Sequence, residues 1–135
     1  MSTLIHDGYY NSPIGWMHLQ ADETNLLVAG FMDRNPVKID TTTSSVLKRA
    51  IQQLDAYFKG TLLQFDLPLH AEGTAFQQSV WQELLKIPLG TTVTYLQMAK
   101  RLGNVKSIRA AATANGKNPI GIIIPCHRVI GADGK

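Results

Sequence analysis

The chain has only one cysteine among its 135 residues, Cys126. Without a second thiol, an intramolecular disulfide is excluded, and so is a cysteine-rich zinc site. Any chemistry at Cys126 is therefore that of a free thiol. Long apolar runs are missing too, since none approaches the roughly 20 residues that span a bilayer. The N-terminus lacks the charged-then-apolar pattern of a secretory signal. These absences predict a protein of the cytoplasm with no membrane attachment, and nothing in the chain calls for a cofactor or a metal.

Acidic residues are scarce in one half only. Residues 1–78 hold five Lys/Arg against eight Asp/Glu, net −3, whereas residues 79–135 hold eight Lys/Arg against two Asp/Glu, net +6. A basic half suits a phosphate-binding surface, because each cation set beside a backbone phosphate releases a condensed counterion. A solvated basic face would have the same composition, and on charge alone that reading stays ahead.

Along the first half, apolar alternation broken by turn residues predicts antiparallel strands. They cover Gly8 to Tyr10, Trp16 to Ala21 and Leu26 to Phe31, with turns at Asn11-Ser12-Pro13-Ile14-Gly15 and at Asp22 to Asn25. Residues 32–43 read as loop. A helix opens at Thr43 or Ser44 and runs to Gly60, with Val46, Leu47, Ala50, Ile51, Leu54, Tyr57 and Phe58 at three- and four-residue spacing. Leu62 to Leu69 is a further strand candidate, and His70 to Gly73 a linker. Domains are expected over 1–73 and 74–135.

From Thr74 the pattern turns helical. Thr74-Ala75-Phe76-Gln77 has the form of a capping box opening a helix to Lys86, and Thr94-Tyr95-Leu96-Gln97 opens a second helix to Leu102. A turn at Gly103-Asn104 leads to a third helix over about Val105 to Ala114. Two short helices joined by a glycine-containing turn form a candidate helix-turn-helix, a weak signal by itself. Asn115-Gly116-Lys117-Asn118-Pro119 closes the third helix, and Ile120 to Ile124 reads as a buried strand or extended segment.

Pro125 is expected to keep Ile124 extended and to deliver Cys126 at the end of a rigid element, followed at once by His127 and Arg128. A thiol beside an imidazole and a guanidinium is favoured as thiolate, its reactive form. By position alone, a cysteine after four apolar residues reads more readily as core. His127 could equally be a satisfied structural histidine, and Arg128 a salt-bridge partner. What favours chemistry is the ordered combination of basic helix-turn-helix, Asn-Pro hinge and Pro-Cys-His-Arg.

The segment Ile124-Pro125-Cys126-His127-Arg128-Val129-Ile130-Gly131 resembles the active-site motif of the O6-alkylguanine-DNA alkyltransferases, the methylated-DNA–protein-cysteine methyltransferases. The resemblance extends through Asn115 to Pro119, Ser107-Ile108-Arg109-Ala110, Thr94-Tyr95 and Phe76 to Trp81, and reaches the strands from Tyr10 to Phe31. It implies an α+β fold, with a small ribonuclease H-like α/β domain before a mainly helical helix-turn-helix domain. It also implies DNA repair by a single irreversible transfer of a methyl or other alkyl group from O6-alkylguanine, and from O4-alkylthymine, to Cys126 after base flipping.

On the same resemblance, His127 relays the thiol proton through a water. Arg109 matches the finger that fills the gap left by the extruded nucleotide. Tyr95 matches the tyrosine that crowds the target phosphate and hydrogen-bonds the flipped guanine, and Asn118 matches the hinge asparagine. Pro125 and Arg128 are structural. Ala110, Ala111 and Ala112 suit a helix that approaches the minor groove closely, while Thr94, Gln97, Lys106, Ser107 and Lys117 are candidates for DNA contact. The partner is double-stranded DNA, bound by a monomer, with cooperative assembly along DNA left open.

Two departures stand out. Family members usually carry glycine where Ala112 stands. They also continue past the position of Lys135 with a Tyr/Ser-Gly-Gly loop and a helix whose glutamate orients the histidine, so a chain ending at Lys135 is expected to bind DNA but transfer alkyl groups poorly. The alternative function is that of the alkyltransferase-like proteins, which recognise alkyl lesions without repairing them; those replace the cysteine. A Cys-His hydrolase is disfavoured because neighbours on an extended segment point to opposite faces. A purely structural helix-turn-helix regulator has no effector domain to serve.

Overall fold

A computed structural model describes residues 4–37 and 44–131. Part of the expected loop, residues 38–43 with Thr43, lies outside them. The chain divides into two compact units, residues 1–71 and 72–135.

The first unit is built on an antiparallel sheet in the order β1-β2-β3, formed by β1 (His6–Ser12), β2 (Gly15–Ala21) and β3 (Leu26–Phe31). Alternation does the work expected of it: Met17, Leu19 and Ala21 of β2 point to one face and are fully buried. Ser12 and Gly15 face each other across the first turn, where Ser12 Oγ donates to the Gly15 carbonyl over 2.6 Å. Helix α1 (Ser45–Phe58) opens on Ser44, whose side chain accepts from the Leu47 amide, and buries Val46, Leu47, Ala50 and Leu54. It lies so close to β1 that a Cβ at Gly8 would stand 3.3 Å from Leu47 Cδ1.

The strand expected over Leu62 to Leu69 does not form. Only Leu69 bridges Leu26, in parallel. The Gln53 side chain takes both the amide and the carbonyl of Asp66, each over 2.8 Å, so groups a ladder would use are already bonded. The single bridge is made by the Pro68 carbonyl, which accepts from the Leu26 amide over 2.8 Å, and by the His70 amide, which donates to the Leu26 carbonyl over 2.9 Å.

The second unit packs α2 (Ala75–Leu85), α3 (Tyr95–Arg101) and α4 (Ile108–Gly116) around Val80, Trp81, Leu84, Ile87, Met98, Ala111 and Ala114. Both expected capping boxes are present, Thr74 with Gln77 and Thr94 with Gln97. Trp81 Nε1 donates to the Ala114 carbonyl over 2.9 Å, tying α2 to the last turn of α4. The third helix differs from expectation at both ends: Val105–Ser107 form a 3-10 turn, and α4 then continues through Asn115 to Gly116. A parallel pair, β4 (Val93–Thr94) with β5 (Val129–Ile130), joins the start of α3 to the segment after Cys126. Among the described residues no helix is long and apolar enough to cross a membrane.

Candidate functional site

Turn chemistry, not a strand, carries the chain from α4 to Cys126. Asn118 spans the loop from both ends: Oδ1 accepts from the Ile120 amide over 3.0 Å, and Nδ2 donates to the Ile124 carbonyl over 2.8 Å. Between them Ile123 N donates to Gly121 O around Ile122, which sits at φ 70, and Ile124 N donates back to Ile120 O. A bond of that reach with positive φ is a γ-turn of the strained kind, unusual for a β-branched residue. The extended segment expected over Ile120 to Ile124 is thus corrected to consecutive turns. An apolar run resembles a buried strand in sequence, but here Ile120, Ile123 and Ile124 are buried on consecutive turns that Asn118 bonds at both ends, while Ile122 is half-buried.

A second tight bend follows. Cys126 N donates to Ile124 O over 2.8 Å around Pro125, whose φ of −82 and ψ of 67 describe an inverse γ-turn. Ile124 O therefore accepts from Asn118 and from Cys126 together. Cys126 opens a 3-10 turn, Cys126–Arg128, and is partly exposed. Because Cys126 and His127 lie on a turn, the opposite-face argument drawn from an extended chain does not apply to them. No hydrogen bond joins Sγ to the imidazole among the described residues.

His127 reaches solvent, yet the protein around it desolvates the ring enough to lower its pKa below the ordinary 6.5, and the neighbouring Arg128 guanidinium lowers it further. The ring is therefore neutral at pH 7 and able to accept a proton. Arg128 Nη1 donates to the Ile87 carbonyl over 2.6 Å, anchoring the turn to the end of α2.

Tyr95, half-buried at the start of α3, is brought to this turn through Asn115. The Asn115 Nδ2 donates to the Cys126 carbonyl over 3.1 Å and to Tyr95 Oη over 3.4 Å. In the sequence Asn115 belongs to the segment that closes the third helix, with no local mark of an inward role. The available signal was its spacing, since Ala111, Ala114 and Asn115 share one face of α4 and all three are buried.

The remaining predicted residues divide. Arg109, Ala110, Lys106 and Lys117 are exposed, Ala112 is half-buried and Ala111 is buried. Thr94 and Gln97 are held in the capping box of α3, which leaves the Gln97 amide nitrogen free of it. Ser107 Oγ donates to the Asn104 carbonyl over 2.6 Å. Lys100, Arg101, Lys106, Arg109 and Lys117 make no ion pair among the described residues, so a set of exposed cations is carried by α3, α4 and the turns after them. Among the described residues no group of His, Cys, Asp and Glu could hold a metal ion.

Residues 5–71 match the family model described as 6-O-methylguanine DNA methyltransferase, ribonuclease-like domain, and residues 75–135 match its DNA binding domain. A methylated-DNA–protein-cysteine methyltransferase of Methanosarcina acetivorans is 49% identical over 131 residues, covering 93% of this chain and 83% of that protein. The Mycobacterium tuberculosis protein of the same name is 42% identical over 135 residues, covering 98% and 82%. The fold is similar to the crystal structure of the M. tuberculosis O6-methylguanine methyltransferase, with a TM-score of 0.87 and 40% identity over 98% of this chain and 82% of that one. It is also similar to the structure of that organism's OGT in complex with DNA, with a TM-score of 0.85 and 42% identity over 96% and 81%.

Proposed function

The chain belongs to the 6-O-methylguanine DNA methyltransferase family, and from that premise we propose that it repairs DNA by taking the alkyl group of O6-alkylguanine irreversibly onto Cys126. O4-alkylthymine offers the same leaving chemistry and is the second substrate. The reaction is an SN2 displacement. Cys126 Sγ, as thiolate, forms a bond to the alkyl carbon while the bond from that carbon to O6 breaks, and the electron pair leaves with the guanine, which takes up a proton. His127, held neutral, accepts the thiol proton through a water. The product is a thioether, which has no leaving group for a second step, so each molecule acts once.

The reading is carried by one observation: the lone thiol is partly exposed on a turn fixed by Asn118, in the unit that also bears the exposed cations. The cations suit double-stranded DNA. The small Ala110 beside Arg109 suits close approach to a minor groove, and Arg109 suits the gap left when the base is flipped out. Lys106 and Lys117 are phosphate contacts by their charge, Ser107 by its place beside Lys106 in the sequence, and Gln97 through the Nε2 that the capping box leaves free. Thr94 acts through the cap that sets the start of α3. The protein works as a monomer in the cytoplasm, where a single reactive thiol stays reduced.

Titrating a fixed amount of duplex carrying labelled O6-methylguanine with the protein tests the proposal. Label removed should equal protein added and then stop, and Cys126→Ser should remove none while still binding the duplex. Removal in excess of protein would contradict single-use chemistry. Binding without removal by the unsubstituted chain would favour a lesion-recognition protein.

A further inference from the structure

We propose that Asn115 is a positioning residue for alkyl transfer: its amide nitrogen links the Cys126 carbonyl to Tyr95 and fixes Tyr95 as a hydrogen-bond donor to the extruded base. This inference rests on the alkyltransferase reading above and adds to it a residue and a direction.

Asn115 is a buried residue, 8% exposed, and the two ends of its amide fare differently. Nδ2 spends its two hydrogens on the Cys126 carbonyl at 3.1 Å and Tyr95 Oη at 3.4 Å. Oδ1 is buried and has no hydrogen-bond partner among the described residues. An orphaned buried oxygen is costly, and an apolar side chain of similar volume would fill the space without it. The opposite amide orientation would set Oδ1 against the Cys126 carbonyl, two acceptors face to face. The amide is therefore held for its donors, and both are directed at groups beside the thiol.

The consequence falls on Tyr95. A phenol that accepts from Asn115 keeps its own hydrogen free, and that hydrogen must point elsewhere. An O6-alkylated guanine presents ring nitrogens as acceptors and has lost the proton at N1, so a donor is what a pocket needs from Tyr95. By gripping the Cys126 carbonyl as well, Asn115 ties the position of that donor to the position of the nucleophile.

The test is a double-substitution cycle on the whole chain, reading the second-order rate of methyl transfer from O6-methylguanine duplex and, in parallel, the rate at which iodoacetamide alkylates Cys126. Asn115→Asp keeps size and shape but puts an acceptor where Nδ2 stood, so the Tyr95 hydroxyl must turn to donate to it. Asn115→Leu removes both polar ends and serves if the aspartate variant does not fold. Either variant, and Tyr95→Phe, should slow transfer about tenfold, the scale of one lost functional hydrogen bond. Combined with Tyr95→Phe, the Asn115 variant should cost well under a further tenfold, because the two act as one unit. Iodoacetamide, which needs no base recognition, should slow far less than transfer in the uncharged variants Asn115→Leu and Tyr95→Phe, whereas the carboxylate of Asn115→Asp disfavours the thiolate by its own charge and is read on transfer alone.

Full multiplication of the two losses, an unchanged transfer rate in the Asn115 variants, or an equal slowing of iodoacetamide in the uncharged variants would each overturn the role given to Asn115. No transfer at all by the unsubstituted protein would instead overturn the alkyltransferase reading.

Discussion

At the scale of single residues, the site is a set of small constraints on one sulfur. Asn118 holds the carbonyl that also receives the Cys126 amide, and Asn115 holds the carbonyl of Cys126 itself. In the proposed reaction His127 is the proton acceptor, and its pKa lies below 6.5 through desolvation and then Arg128. A depressed histidine pKa means the neutral, accepting form is fully present above the ordinary value and is lost only as pH falls through the lower, folded-state value. Transfer should therefore be insensitive to His127 protonation at pH 7 and decline on acidification with a midpoint below 6.5, and His127→Gln should remove that limb; single-turnover rates across pH 5–8 check it. Arg109 makes no ion pair among the described residues, which frees it for DNA. Arg109→Ala should slow repair of duplex at least about tenfold more than reaction with a free alkylguanine base, since only a duplex leaves a gap to fill. Equal losses on the two substrates would contradict the finger role.

At the scale of elements, the sequence was most legible where a local rule decides the outcome. Alternation set the three strands of the first sheet, and the Thr-x-x-Gln pattern set the starts of α2 and α3. These caps should carry measurable energy: Thr74→Ala and Thr94→Ala should each cost about 1 kcal/mol in denaturant unfolding. Only Thr94→Ala should also slow transfer several-fold, because Tyr95 is the first residue of the helix that Thr94 caps. Legibility failed where side chains compete with backbone for hydrogen bonds. Gln53 claims Asp66 and so unmakes an edge strand at 62–69, and Asn118 folds Ile120 to Ile124 into turns that their apolar run does not announce. Asn115 escaped notice for a related reason. An Asn-Gly pair reads as a helix terminus, whereas α4 continues through it and turns the asparagine inward. The Pro-Cys-His-Arg motif, by contrast, was plain in the sequence, although its backbone is a 3-10 turn and not a strand end.

At the scale of the whole molecule, the division of charge follows the division into units. The basic half contains α3, α4 and the thiol, while the acidic half supplies a sheet and helix with a core of their own. In the basic half, Lys100, Arg101, Lys106, Arg109 and Lys117 are exposed and make no ion pair among the described residues, and they are the cations the proposed DNA affinity draws on. If three to five of them meet phosphates, log K should fall against log salt with a slope of about −2.7 to −4.5. Fluorescence anisotropy on an undamaged duplex measures that slope, and a value near zero would remove the basic surface from the account.

The claim that everything else serves is covalent, and it is tested most directly by peptide mapping. After the protein is mixed with excess duplex carrying one O6-methylguanine, mass spectrometry of its proteolytic fragments should find a single added methyl group, on the peptide containing Cys126, with guanine restored in the DNA. A methyl group on any other peptide, or restored guanine with Cys126 unmodified, would contradict it.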